Sequence, residues 1–330
     1  PTITTRNLTK DIIEKVQITD TKTKSEAFAG EEGDQENKTI NLTIKEENNK
    51  GVFGRLAAGA GTDERYEYAG LLNIFDNDQR ISVLAGGNNI NSAGFSFGEI
   101  QKMFGGGNSV YYNSNGTFAI DGRSFGGGQG INTSRNIGAN YADELGKKVD
   151  LTFDYFNSNN RSENETITER ENILVDRSFF TNSNSRTNTD SDNHSANLDF
   201  EIEVDSTFLI NIRPSFNYSK STNEFSRNEE SLNELNEITN TSRTASFSLT
   251  EGRNFENDID ITKRFGNNGA FLKLSLQTEY NSTETDDFTD SDTEIFGDNP
   301  QTIVRDQFSD GKRELNSVYT VATYRFPLIS

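Results

Sequence analysis

The sequence predicts an all-β chain, specifically an antiparallel transmembrane β-barrel, and three observations carry that prediction. Apolar and polar residues alternate with period two over segments of about 9 to 11 residues, the length a tilted strand needs to cross a bilayer. The connections between those segments alternate between short and long, as in barrels with tight turns at one rim and extended loops at the other. Composition is the third. Only 31% of the 330 residues are hydrophobic, and the formal net charge is −20. A soluble globule has about 45 to 50% apolar residues with glycine counted in, and the 27 Gly here narrow that gap without closing it. A barrel with a wet interior needs only one apolar residue in two along each spanning segment.

The same composition excludes several classes. Disordered chains share the charge but are poor in aromatics, whereas this chain has 24 Phe and 10 Tyr. No run of 18 apolar residues exists, so no transmembrane helix is expected. Cysteine is absent, which removes disulfides, thiol catalysis and zinc-thiolate sites together. A pI near 4.5 argues against nucleic acid, whose phosphates require a basic stripe.

Taken in order, residues 1–10 read as a segment preceding the barrel, with Asn7 or Thr9 as a cap for a helical turn. Residues 30–36, GEEGDQE, read as a solvated acidic loop. Residues 38–97 form the entry to the barrel. There Val52, Leu56, Ala58 and Ala60 share one side of the first spanning strand, a break at residues 62–65 leads into 66–75, and a turn at 76–79 leads into 80–90.

That stretch also carries a likeness. The succession KTINLTIKE, KGVFG, AGAGTDERYE and NNINSAGFSF resembles the start of the barrel in the TonB-dependent-receptor-like outer membrane β-barrel proteins of the Bacteroidota. Residues 11–46 look like the last part of the plug of such proteins, with a strand near residues 14–18, a Gly-containing loop and an Ile-Asn-Leu strand. The resemblance implies a division into residues 1–50, the C-terminal part of a plug domain, and residues 51–330, the N-terminal part of an outer-membrane barrel of roughly 22 strands, with about ten strands here. It implies an internal piece of a longer protein, outer-membrane lipid as its surroundings, and the TonB system, a surface lipoprotein or other outer-membrane subunits as partners. Solute uptake by plug rearrangement is the implied activity. A non-transporting barrel serving as a structural or accessory subunit is the alternative. A secreted acidic β-solenoid would need a fixed repeat length, and none is visible.

Residues 91–130 are rich in Gly, Asn and Ser, with GGG at 105–107 and again at 126–128. They lack the strand, helix and lysine or ribose-binding acid that a phosphate loop requires, and they read as a long loop with a small hairpin over residues 109–120. Strands follow at 131–141, 149–155, 194–204, 208–218, 245–262, 270–279 and 314–326. The clearest pair sets His194, Ala196, Leu198, Phe200, Ile202 and Val204, then Phe208, Ile210, Ile212, Pro214, Phe216 and Tyr218, against polar partners. Short turns are expected at 143–148, 205–206 and 266–269, on the periplasmic side. Residues 157–193, 220–243 and 283–312 read as polar extracellular excursions, the second with Leu232, Leu235 and Ile238 at the spacing of a short helix.

Chemistry is sparse, and no enzyme is expected. His194, the single histidine, stands at the end of an apolar face and reads as interfacial packing. No serine sits in a nucleophile elbow with a histidine partner. Residues 190–192 (Asp-Ser-Asp) and 286–298 are the places where an outer loop would hold Ca²⁺, although EF-hand spacing is missing. No catalytic, cofactor-binding or metal residue is assigned. The interior-facing candidates are Asn211, Arg213, Asn217, Lys273, Gln277 and Glu279, placed to hydrogen-bond the plug or a passing solute.

Overall fold

The computed structural model describes residues 13–21, 24–29, 34–44, 50–104, 109–112, 118–120, 123–126, 129–146, 148–175, 177–266 and 269–326. A hairpin of β1 (Ile13–Thr21) and β2 (Asp34–Ile44), with helix α1 (Lys24–Ala29) between them, opens the chain. Ten strands then form one antiparallel sheet: β3 (Lys50–Ala60), β4 (Tyr66–Asp76), β5 (Gln79–Asn88), β9 (Ile131–Leu145), β10 (Val149–Ile173), β11 (Ser178–Asp205), β12 (Phe208–Leu232), β13 (Ile238–Phe265), β14 (Ala270–Ile295) and β15 (Gln301–Arg325). Each pairs with its predecessor, apart from one insertion between β5 and β9. That insertion holds helix α2 (Phe97–Phe104) and a small sheet of β6 (Val110–Tyr112), β7 (Phe118–Ile120) and β8 (Arg123–Phe125). Among the described residues, β3 and β15 are edges without a second neighbour, and both are exposed along nearly their whole length.

Side chains directly opposite in an antiparallel ladder share a face, so the sheet has two faces that can be followed strand by strand. One runs through Leu71, Leu84, Gly138, Phe156, Ser195, Asn217, Asn254 and Asn281. The insertion packs on this covered face: Phe95, Ile100, Met103, Phe118, Ile120 and Phe125 join Leu71, Leu84 and Phe156 in one buried cluster. Two glycines make room for it. A Cβ on Gly86 would lie 2.7 Å from the Phe95 ring, and one on Gly138 would lie 2.8 Å from Phe104. Helix α1 meets β12 and β13 on the same face, where Phe28 lies 5.6 Å beneath the Arg264 guanidinium. Leu209, Thr262 and Phe271 are buried there.

The bare face carries a band of apolar residues over β9 to β15. On β12 it runs from Phe208 to Tyr218, and across β13 and β14 it continues through Phe255, Ile261, Leu272 and Leu274. Phe216, Phe255, Leu272 and Leu274 are each about two-fifths exposed, and Ile210 is half-buried. None of them lies in a protein core.

Strand length is where the structure departs from expectation. Residues 157–193, 220–243 and 283–312 are not loops; they are the distal halves of β10 to β15, strands of 25 to 28 residues. The true connections at that rim are only the residues between Ile173 and Ser178, Leu232 and Ile238, and Ile295 and Gln301. Leu232, Leu235 and Ile238 therefore span the end of a strand, a turn and a strand start, with no helix. Ser, Thr and Asn there gain ladder hydrogen bonds from the backbone and cross-strand contacts from their side chains, such as Ser242 to Thr293 at 3.1 Å. Polarity does not break a strand when a neighbour continues beside it. The four short connections fall where expected; at the last of them Gly266 (φ 64°) and Gly269 (φ 80°) adopt left-handed backbone, open to glycine at no steric cost.

The hairpin expected at 109–120 is present as β6 and β7, but α2 and β8 belong to the same unit. Ser96 caps α2: its hydroxyl accepts from the Glu99 amide at 3.3 Å, while the Glu99 carboxylate accepts from the Ser96 amide at 2.8 Å, a capping box. Of the acidic run, Asp34 to Glu36 belong to β2, and residues 30–33 lie outside the described residues, as do 1–10, 105–107 and 127–128.

Candidate functional site

Every interior candidate lies on the covered face. On β12, Leu209, Asn211, Arg213, Ser215 and Asn217 alternate with the apolar set; on β14, Phe271, Lys273, Ser275, Gln277 and Glu279 do the same. Between these strands β13 adds Glu256, Asp258, Asp260 and Thr262, and beyond β12 the strand β11 adds Asn197, Asp199 and Glu201. The result is a belt of ionisable side chains behind an apolar outer band.

Asp260 is the hub of this belt. It accepts from the Arg213 guanidinium at 2.9 Å through one oxygen and from the Ser275 hydroxyl at 2.5 Å through the other, with the Lys273 ammonium 4.0 Å away. Arg213 also donates to the Asn211 carbonyl at 2.9 Å, and the Asn211 amide donates to the Glu201 carboxylate at 3.2 Å. Glu201 and Asn211 are both buried. Sequence reasoning found Asn211, Arg213 and Lys273 but not Glu201 or Asp260. The polar side of β11 and β13 was legible; which acids would meet Arg213 depends on strand register.

At the other end of the belt, Arg123 of β8 forms an ion pair with Asp154 of β10, in which both side chains are largely buried. The Arg123 guanidinium lies 4.6 Å over the Phe104 ring, a cation–π contact, and Asn197 donates to Asp154 at 3.1 Å. Arg123 was not anticipated, because it lies in the Gly-rich stretch read as loop. Between the two ends is a cavity of about 290 Å³ lined in part by Asp154, Asp199, Arg213, Glu256 and Asp258. A second, of about 440 Å³, lies farther along the covered face, and its lining from Ser124 through Asn160 to Ser191 contains no charged residue.

His194 lies on the bare face at one border of the apolar band. Its Nδ1 is 2.8 Å from the Tyr155 hydroxyl and its Nε2 is 3.1 Å from Asp192, while the Tyr155 and Tyr218 rings flank it at 6.1 and 5.9 Å. This is a polar-aromatic row and not a metal triad. Asp190 and Asp192, two residues apart on β11, share that face; no group of three or more metal-ligating side chains occurs among the described residues.

The fold and this belt define an all-β protein built on a ten-stranded antiparallel sheet that, along one belt of β11 to β14, is apolar on one face and ionic on the other. Compared with known proteins, the chain matches no family model and no curated protein.

Proposed function

We propose that this chain is part of an outer-membrane β-barrel of the TonB-dependent-receptor-like kind, taking up a solute through an interior partly filled by a plug. One observation carries the reading: the bare face is mostly apolar along one belt of the sheet, while the opposite face is ionic at the same rows. From Phe208 to Tyr218 the band spans eleven residues, about 34 Å along a strand. At the tilt of barrel strands that is close to the roughly 25 Å lipid-facing belt of outer-membrane barrels. The row of Tyr155, His194 and Tyr218 stands where an aromatic girdle belongs, and Phe265 and Tyr324 mark the opposite border. In water such a band would need covering. In lipid it needs none, provided that the sheet closes and leaves no backbone edge.

The unpaired edges at β3 and β15 support a wall wider than ten strands. β3 offers 11 residues and β15 offers 25, so direct pairing of the two would leave half of β15 without a partner. Further strands of the same polypeptide complete the wall in this reading. Helix α1 and the β1–β2 hairpin are then the end of the plug, held against the inner wall by Phe28.

The absence of cysteine makes topology directly testable. Single cysteines replacing Leu235 or Gly297, at the tips of the long hairpins, should react with a membrane-impermeant maleimide on intact cells. A cysteine replacing Asn77 or Ser206 should react only after the outer membrane is opened. Equal labelling at both rims would overturn the membrane reading. The alternative, a non-transporting barrel in an outer-membrane assembly, is favoured by the docking of the insertion onto Gly86 and Gly138, which fills part of the interior. Solute accumulation dependent on an energised inner membrane separates the two.

A further inference from the structure

Beyond the apolar band, the bare face of β13, β14 and β15 carries a row of three phenylalanines directly opposite one another, Phe247, Phe288 and Phe308. They are 38%, 42% and 69% exposed, so none of them serves a core. Exposed contiguous aromatics on a soluble surface mark contact with something else. The rows on either side pair Asp286 with Asp310 and Asp290 with Asp306, all four exposed. Like charges directly opposite destabilise a ladder, and the sheet offers no local remedy. Lys312 is held by Glu284 and Glu314 at 3.1 and 2.9 Å, and Arg243 stands opposite Asp292. Among the described residues none of the four carboxylates has a basic partner.

We propose that this aromatic row is a docking surface for a basic protein segment, rich in lysine and arginine, from another molecule. Charge complementarity identifies the occupant: residues 282–316 contain ten Asp and Glu against three Lys and Arg. Aliphatic stems of Lys and Arg lie on the phenylalanine faces, with cation–π attraction added, while their charged heads reach the carboxylate pairs on both sides. An acidic or neutral apolar partner would satisfy the rings and leave both aspartate pairs repelling. This inference needs only the local register of three strands and stands whether or not the sheet closes in a membrane.

The test uses the purified protein in detergent and a nona-arginine peptide as the probe, with affinity read by fluorescence anisotropy. Phe288→Ala with Phe308→Ala, which leaves the charge unchanged, should weaken binding at least fivefold. Asp286→Asn, Asp290→Asn, Asp306→Asn and Asp310→Asn together should weaken it at least tenfold. The control removes four charges from the same face elsewhere, with Glu165, Glu169, Glu171 and Glu224 changed to Gln, and should stay within twofold of the parent. Loss in the control equal to loss in the Asp variant would reduce the effect to net charge and overturn the site, as would unchanged binding after removal of the two rings. Hydrogen exchange guards against misfolding: the peptide should slow exchange in residues 283–312 of the parent and not in the Phe variant, whose protection elsewhere must match the parent's.

Discussion

The proximal and distal halves of the long strands obey the same alternation with opposite chemistry. In the proximal half of β12 the bare face holds Phe208, Ile210, Ile212 and Phe216 while the covered face holds Asn211, Arg213 and Asn217. In the distal half of β10, β13 and β14 the covered face is mostly Ser, Thr and Asn, and the bare face carries most of the acids, among them Glu163, Glu165, Asp286 and Asp290. In β10, β13, β14 and β15 one pairing register runs through both halves. Strand geometry is therefore indifferent to which solvent each face meets. What changes at the row of Tyr155, His194 and Tyr218 is the chemistry of the bare face, and under the proposed reading lipid gives way to water there.

That difference can be broken most directly by moving one charge along one strand. Arginine at Leu274, mid-band on the bare face of β14, should cost about 2 to 4 kcal/mol of folding stability in bilayers. Arginine at Phe288, on the same face of the same strand, should cost below about 1 kcal/mol. Urea titrations in lipid vesicles measure both, and equal costs would erase the distinction between the halves.

A smaller contrast concerns ion pairs on the covered face. Asp260→Ala leaves Arg213 and the Ser275 hydroxyl without their shared acceptor in a partly buried belt, and should cost about 2 kcal/mol. Arg227→Ala removes a pair with Glu229 on the distal part of β12, where the side chains are 43% and 26% exposed, and should cost below about 0.5 kcal/mol. The same titrations decide the order.

The smallest effects are pH-dependent and come from one turn and one mid-strand ion cluster. Asp205, in the turn between β11 and β12, has its pKa lowered by hydrogen bonds from the hydroxyl and amide of Thr207. Its contribution is present above the unfolded value of about 3.9 and disappears as pH falls through the lower folded value. Lys312, midway along β15 between Glu314 and Glu284 of β14, has its pKa raised by both carboxylates. Its contribution is present below about 10.5 and disappears as pH rises through the higher folded value. Asp205→Ala should flatten the acid limb of a stability-versus-pH curve, and Lys312→Met the alkaline limb.

How much of this was legible follows from what each signal depends on. The period-two segments at 194–204 and 208–218, and the turns after Asp76 and Asp205, stood out because apolar alternation and Gly, Asn or Asp turns are local. The distal halves were hidden because polar side chains on both faces, hydroxyls and amides on one and acids on the other, give no hydrophobic period, so strand and loop look alike there. Helix α2 was hidden by GGG immediately after it, although the Ser96–Glu99 capping box stood in plain sight. Asp260, Glu201 and Arg123 required register and a folded insertion, which single-strand patterns do not contain.

β14 and β15 face each other from Phe271 and Arg325 to Ile295 and Gln301 without a bulge. Near Leu272, Leu274 and Leu276, a slide of two positions would trade unlike neighbours and be rejected. Farther out the same slide would part Phe288 from Phe308 and Lys312 from Glu284. Both ends of this hairpin are therefore keyed to one alignment, so closure begun at either end brings the two strands into the same register.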